Sequence, residues 1–177
     1  QRRRGEAVVA GVFDPDRSRA EALAAEFGGT SHAELARLLD DKTIDAVIVA
    51  TPNRFHEDAV IAAAQAGKHV FCEKPLALDI QSAARMIAAC NSANRILQVG
   101  FNQRFWAQVQ IAKSLVDAGF IGKIHQVRSV YSEKHSAYPA ATHYRYDLAL
   151  SGGATIIDLT IHRIDLCRYL LGDYAAI

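Results

Sequence analysis

Residues 44–50 read Ile-Asp-Ala-Val-Ile-Val-Ala, a β-branched run with turn chemistry on both sides. Such a run is a buried strand, and the residues just after it narrow the fold. Thr51-Pro52-Asn53 leads into a helical stretch over about 55–66, Gly67 stops it, and a second apolar run, Val70-Phe71-Cys72, comes next. Strand, helix and strand joined by short connections are the mark of right-handed βαβ units and a parallel sheet. The alternation continues in both directions. Upstream, the apolar run 7–13 ends at Asp14, and residues 16–27 have helical period until Gly28-Gly29. Ser31 with Glu34 three residues on reads as a capping box opening a short helix through Leu39. Downstream, Asp79 caps a helix to about Asn91, 96–100 is another strand, and a helix over about 105–118 ends at Gly119.

After Gly122 the character changes, and a domain boundary is expected between Gly119 and Lys123. Residues 123–133 predict a longer, more polar strand, suited to a sheet with one open face. Residues 134–150 are rich in His, Tyr and Ala without a period and read as a functional loop, and Gly152-Gly153 leads into an apolar helix ending at Gly172. Half of the residues are hydrophobic, enough for a sizeable core, and a formal net charge of +1 speaks against a nucleic-acid or membrane surface. No stretch reaches the ~18 apolar residues of a membrane span. Cys72, Cys90 and Cys167 are odd in number and embedded in apolar runs, as reduced core thiols of a cytosolic protein are.

The chemistry gathers where strands end, because open parallel sheets bind ligands at that edge. An apolar run delivers Glu73 and Lys74 there, and Pro75 restricts Lys74 to extended geometry. Asp14 stands where an acid accepts hydrogen bonds from an adenosine ribose, or equally where an aspartate shapes a helix start. Thr51, Pro52, Asn53 and His56 form a turn able to face a cofactor; simple N-capping by Asn53 is the alternative. Asp158 and His162 lie four apart on a helix and share a face, which Asp165 extends. Asp158 and His162 suit proton transfer near neutral pH or the lining of an interdomain seam, and with Asp165 they suit a metal site.

Taken in order, VVAGVFDPD at 8–16, DAVIVATPNRFHEDAVIAAAQAGKHVFCEKPLA at 45–77, LQVGFNQRF at 97–105, GFIGKI at 119–124 and SGGATIIDLTIHRIDLCRYLLGD at 151–173 form a specific set. With it the chain resembles the Gfo/Idh/MocA family of NAD(P)-dependent oxidoreductases over essentially its whole length. The resemblance implies an α/β fold: a Rossmann-type nucleotide-binding domain at 1–120, its first βα unit missing. The start of a substrate and oligomerisation domain with a mostly antiparallel sheet comes next, at 121–177. The glycine fingerprint of that fold belongs about 20 residues before the ribose acid. Only 13 residues precede Asp14 and none forms it, so the expectation is a chain that begins inside a longer protein and stops soon after its catalytic helix.

Residue by residue, the resemblance makes Asp14 the ribose acid, favouring NAD, while Arg17 keeps NADP open. Thr51, Pro52, Asn53, His56, Glu73, Lys74, Asn102 and Gln103 fall on the cofactor side. Lys74, Arg104, His143, Tyr144, Asp158 and His162 fall on the substrate side. Lys74, Asp158 and His162 are the implied catalytic set, with no metal. The implied reaction is hydride transfer between a secondary alcohol of a sugar or cyclitol and NAD(P) in a cytoplasmic homo-oligomer, dimer or tetramer. The alternative is a non-catalytic sensor or regulatory protein of the same fold that binds NAD(P) or sugar.

Overall fold

The computed structural model describes residues 7–131, 144–153 and 156–174. In chain order its elements are β1 (Gly11–Val12), α1 (Arg17–Phe27), β2 (Thr30–Ser31), α2 (Leu35–Asp40), β3 (Ala46–Val49) and α3 (His56–Gln65). Then come β4 (His69–Cys72), α4 (Ile80–Ser92), β5 (Leu97–Val99), α5 (Ala107–Asp117), α6 (Leu148–Ser151) and α7 (Ile161–Leu171). Every strand pairing among the described residues is parallel: β1 with β2, and β3–β4–β5 as a second sheet. The helices between the strands are the crossovers that parallel pairing requires.

Local chemistry explains the helix ends. Asp16 accepts from the Ser18 and Arg19 amides to start α1, and Gly28, in the left-handed region at φ 76°, ends it. Asp79 caps α4 by accepting from the Ser82 amide at 2.7 Å, as the sequence predicts. The expected capping box of Ser31 and Glu34 does not form. Ser31 is held in β2 opposite Val12, and Glu34 itself occupies the cap position without a side-chain bond.

The core sits between the β3–β4–β5 sheet and the α3–α4 pair. Val49, Val70 and Cys72 meet Val60, Ala63, Ala64, Met86 and Cys90 there, all essentially sealed from solvent. Burying a side chain the size of valine or methionine contributes about 1.5–3 kcal/mol. The small Ala63 and Ala64 let α3 lie close on the sheet. Cys72 is a packing residue: burial, with the Glu73 charge adding, pushes its thiol up to about 12. Lys68 is 4% exposed, and its Nζ donates to the Asp41 and Ile44 carbonyls at 2.6 and 2.8 Å, pinning the loop before β3. Lys68→Met keeps the stem but strands both acceptors. A urea-unfolding midpoint lower by the equivalent of about 2 kcal/mol is the expected result.

Several expected features differ. The strand at 7–13 shrinks to two residues, and among the described residues β2 is its single partner. The run at 44–50 is not buried on both faces: Val47 and Val49 face the core, but Ile48 is 72% exposed, because α3 and α4 pack on one side of the sheet. Residues 123–131 form no strand, since no described residue supplies ladder partners, and the antiparallel sheet is not seen among the described residues. The last helix opens with a π turn at Ile156–Thr160, and its apolar residues Ile156, Ile164 and Leu171 are exposed rather than buried.

Candidate active site

Strand ends build one wall. The Glu73 amide donates to Val49 O at 2.9 Å and the Gly100 amide to Cys72 O at 2.8 Å, so pairing runs one residue past β4 and β5. Gly100 leaves room for the Glu73 carboxylate at this close approach: a Cβ there would stand 3.1 Å from Glu73 Oε2 and push it aside. That same oxygen accepts the Lys74 amide at 3.2 Å, and the Lys74–Pro75 peptide is cis.

The opposite wall comes from the C-terminal part of the chain. Asn53 Nδ2 donates to Ser151 O at 2.8 Å, tying the turn after β3 to the end of α6. From there the π turn carries Asp158 and α7 carries His162. Four residues across an i→i+5 turn fall just short of one revolution, so the two still share a side. Lys74 Nζ donates to Asp158 Oδ1 at 2.6 Å and to Asp158 O at 2.7 Å. Arg145 Nε lies 3.2 Å from Asp158 Oδ2. His162 is 8% exposed, with Phe101 edge-on at 6.1 Å between ring centroids.

The electrostatics separate two roles. Burial pushes the Asp158 carboxyl up, but the Lys74 hydrogen bond and charge, joined by Arg145, outweigh it and hold the acid below its ordinary value. Asp158 is therefore a fixed anion near neutral pH. His162 is held below the ordinary histidine value, first by burial and then by the Lys74 and Arg163 charges, against the pull of Asp158 and Asp165. Its imidazole is neutral at pH 7 and can accept a proton. Tyr144 is raised by burial, and the Asp158 and Glu73 charges push the same way against Arg145, which places the phenol within the field of both acids.

Other candidates are committed elsewhere. His56 is 0% exposed; its ring nitrogens lie 2.9 Å from Pro75 O and from Thr51 O. It is a strut between two turns. Asn53 is likewise buried and spent on Ser151 instead of capping a helix. Arg104 does not face the Lys74 cluster: Nε donates to Asp165 Oδ2 at 2.8 Å and Nη2 to Oδ1, so Asp165 is occupied as well. That pairing occupies the carboxylate that the metal reading needed, and no group of three His, Cys, Asp or Glu among the described residues is placed to hold a metal ion. Gln103 Oε1 accepts from Arg163, and Asn102 is exposed. Asp14 Oδ1 accepts the Asp16 amide at 2.8 Å, the turn role. Arg17 is exposed and bonds Glu21. Pro52 is half-buried, and His143 lies outside the described residues. Sequence reasoning did not connect Arg145 with Asp158, Phe101 with His162, or Arg104 with Asp165. Each partner sits in another segment, and no local period carries that distance.

The parallel sheet presents a carboxylate and an ammonium at its C-terminal edge, where open α/β sheets bind ligands, against a helix with an aspartate and a neutral histidine. The sequence profile described as "Oxidoreductase family, NAD-binding Rossmann fold" matches residues 1–101, and that of the GFO/IDH/MocA C-terminal domain matches 109–177. The chain belongs to the Gfo/Idh/MocA oxidoreductase family. It is 38% identical over 148 residues to levoglucosan dehydrogenase of Pseudarthrobacter phenanthrenivorans, covering 83% of this chain and 38% of that protein. With myo-inositol 2-dehydrogenase of Thermotoga maritima it shares 35% identity over 169 residues, 95% of this chain and 48% of the relative. A levoglucosan dehydrogenase structure in complex with NADH and levoglucosan superimposes with a TM-score of 0.86 at 34% identity, over 94% of this chain and 45% of that one. The chain thus spans less than half the length of these relatives.

The strand ends fit the ribose and nicotinamide portion of such a cofactor. Thr51 Oγ1 is buried without a hydrogen-bond partner, two residues past Val49. An orphaned buried hydroxyl is costly unless a ligand group satisfies it.

Proposed function

We propose that the protein is an NAD(P)-dependent dehydrogenase that moves a hydride between a secondary alcohol carbon of a sugar or cyclitol and the nicotinamide. The observation that carries this is Lys74 Nζ held 2.6 Å from an ionised Asp158, beside a histidine kept neutral. A bound nicotinamide supplies the hydride acceptor. Lys74 offers a desolvated positive charge to the substrate oxygen and lowers the energy of the alkoxide as it forms. His162 takes the hydroxyl proton. Asp158 does not titrate; it aims the ammonium and balances its charge. Glu73, Thr51 and Asp14 line the cofactor side, and an acid at the Asp14 position favours NAD. Tyr144 and Arg145 belong to the substrate side.

The same reading places the domain boundary at 120/121 and takes a small polyol as partner. No helix among the described residues is long and apolar enough to cross a membrane, and free, mostly buried cysteines fit a reducing cytoplasmic setting; a homo-oligomer is part of the same proposal. The test is absorbance at the reduced-nicotinamide band with the intact protein, NAD or NADP, and a panel of inositols, anhydrosugars and aldoses. Turnover with at least one polyol, faster with NAD, is the expected outcome. Cofactor binding without turnover of any polyol would overturn the enzyme reading in favour of a sensor.

A further inference from the structure

The segment after β5 is fastened to α7 by side-chain contacts in matching order. Phe101 stands edge-on to His162, Arg163 donates to Gln103, and Arg104 forms its two-pronged pair with Asp165, which is 7% exposed. The Arg104 guanidinium also lies 5.7 Å from the Phe101 ring centroid and 5.3 Å from that of Tyr169. Gln110 closes the cluster, donating to Arg104 O and, at 2.9 Å, to the Tyr169 hydroxyl.

Apolar packing holds α7 only in part. Ile164 and Leu171 face solvent, Ile161, Cys167 and Leu170 are half-buried, and Leu166 is its one buried hydrophobic residue among those described. Its first turn is a π turn, a looser coil than the α-helix. The directional contacts to Phe101, Gln103 and Arg104 add to that packing and set the rotation of the helix about its axis. Asp165 lies three residues beyond His162, so a turn of the helix that moves one carboxylate away from Arg104 also swings the imidazole away from Phe101 and Lys74. A planar guanidinium paired through two parallel bonds resists that rotation in a way a point charge cannot.

We propose that Arg104 and Asp165 are positioning residues that set the His162 imidazole against the Lys74 ammonium across the cleft. The proposal rests on His162 acting as the base of a dehydrogenase. The charges bearing on His162 are Lys74 and Arg163 on one side of the balance and Asp158 and Asp165 on the other. Arg104→Lys leaves all four in place, and the second variant removes Asp165 together with its own partner.

Arg104→Lys preserves the charge and loses the fork. The double variant R104M/D165M removes both charges and keeps a packed contact, so that folding survives if the single variant is too unstable. In folded protein, kcat for polyol oxidation is expected to fall about 100-fold, the scale of a misplacement near 1 Å. KM and the affinity for reduced cofactor should stay within about threefold, as they do when a loss falls on the chemical step. In parallel, the His162 imidazole resonances are expected to lose the ring-current shift that edge-on Phe101 imposes. If kcat stays within about twofold in both variants, or the His162 resonances do not move, the pair is merely structural and the proposal is overturned. The resonance measurement needs no turnover. A parent without activity whose His162 signals still depend on Arg104 would sink the dehydrogenase reading alone, leaving the geometric coupling standing.

Discussion

Lys74→Met is expected to lower kcat for polyol oxidation by about 10²–10³-fold, with cofactor affinity changed only a few-fold. The methionine occupies the same volume but removes the one cation that approaches Asp158 from the strand edge, at 2.6 Å. Asp158 keeps Arg145 at 3.2 Å, so the carboxylate remains paired and folding is spared the full cost of an abandoned buried charge. What disappears is the group that meets the developing alkoxide. Comparing kcat with the dissociation constant for reduced cofactor, read from its fluorescence, separates the two effects. An equal loss in both quantities would show that Lys74 holds the cofactor and does not act on the substrate.

His162→Asn is the second large effect: a loss of about 10²–10⁴ in kcat, the range a positioned acid or base provides. It carries a pH signature. The folded imidazole titrates below its ordinary value of 6.5 because burial and the neighbouring cations disfavour the charged form. The parent should therefore keep its rate constant from the alkaline side down past pH 6.5 and lose it only at lower pH, a limb the Asn variant lacks. Stability changes with a definite sign. Between the folded and unfolded values the unfolded chain binds more protons, so stability falls as pH drops through 6.5 and levels off below the folded value. Urea midpoints between pH 5 and 7 should decline less steeply in His162→Asn than in the parent. A parent whose rate falls already above pH 6.5 would remove His162 from the role of base.

The elements most legible in the sequence were those whose signal is local. Asp79 before an apolar-periodic stretch, Gly28 and Gly67 as stops, and the β-branched run before Thr51 each state their structure within a few residues. The helix at 80–92 and the parallel pairing of β3, β4 and β5 arise from such signals. Lys74, Asp158 and His162 stood out because polar groups at the end of an apolar run, or on an apolar helix, demand partners. Ser31 and Glu34 misled because strand pairing claimed Ser31 before it could cap. For His56 the pattern reveals a polar residue near the edge but not which way it turns. It turns inward, between two backbone carbonyls.

Period and punctuation settled the order of strands and helices, the parallel class of the sheet and the edge at which chemistry would gather. They act through neighbours along the chain, where 3.6-residue and two-residue repeats fix which side chains align. Only the folded chain could decide that Lys74 meets Asp158 across 84 residues, that Arg145 takes the other carboxylate oxygen, and that Arg104 turns to Asp165. Those pairings rest on distances of a few ångströms between distant segments. Burial then sets the charge of each group, holding Asp158 as an anion and His162 neutral, and no reading along the chain contains the desolvation that does so.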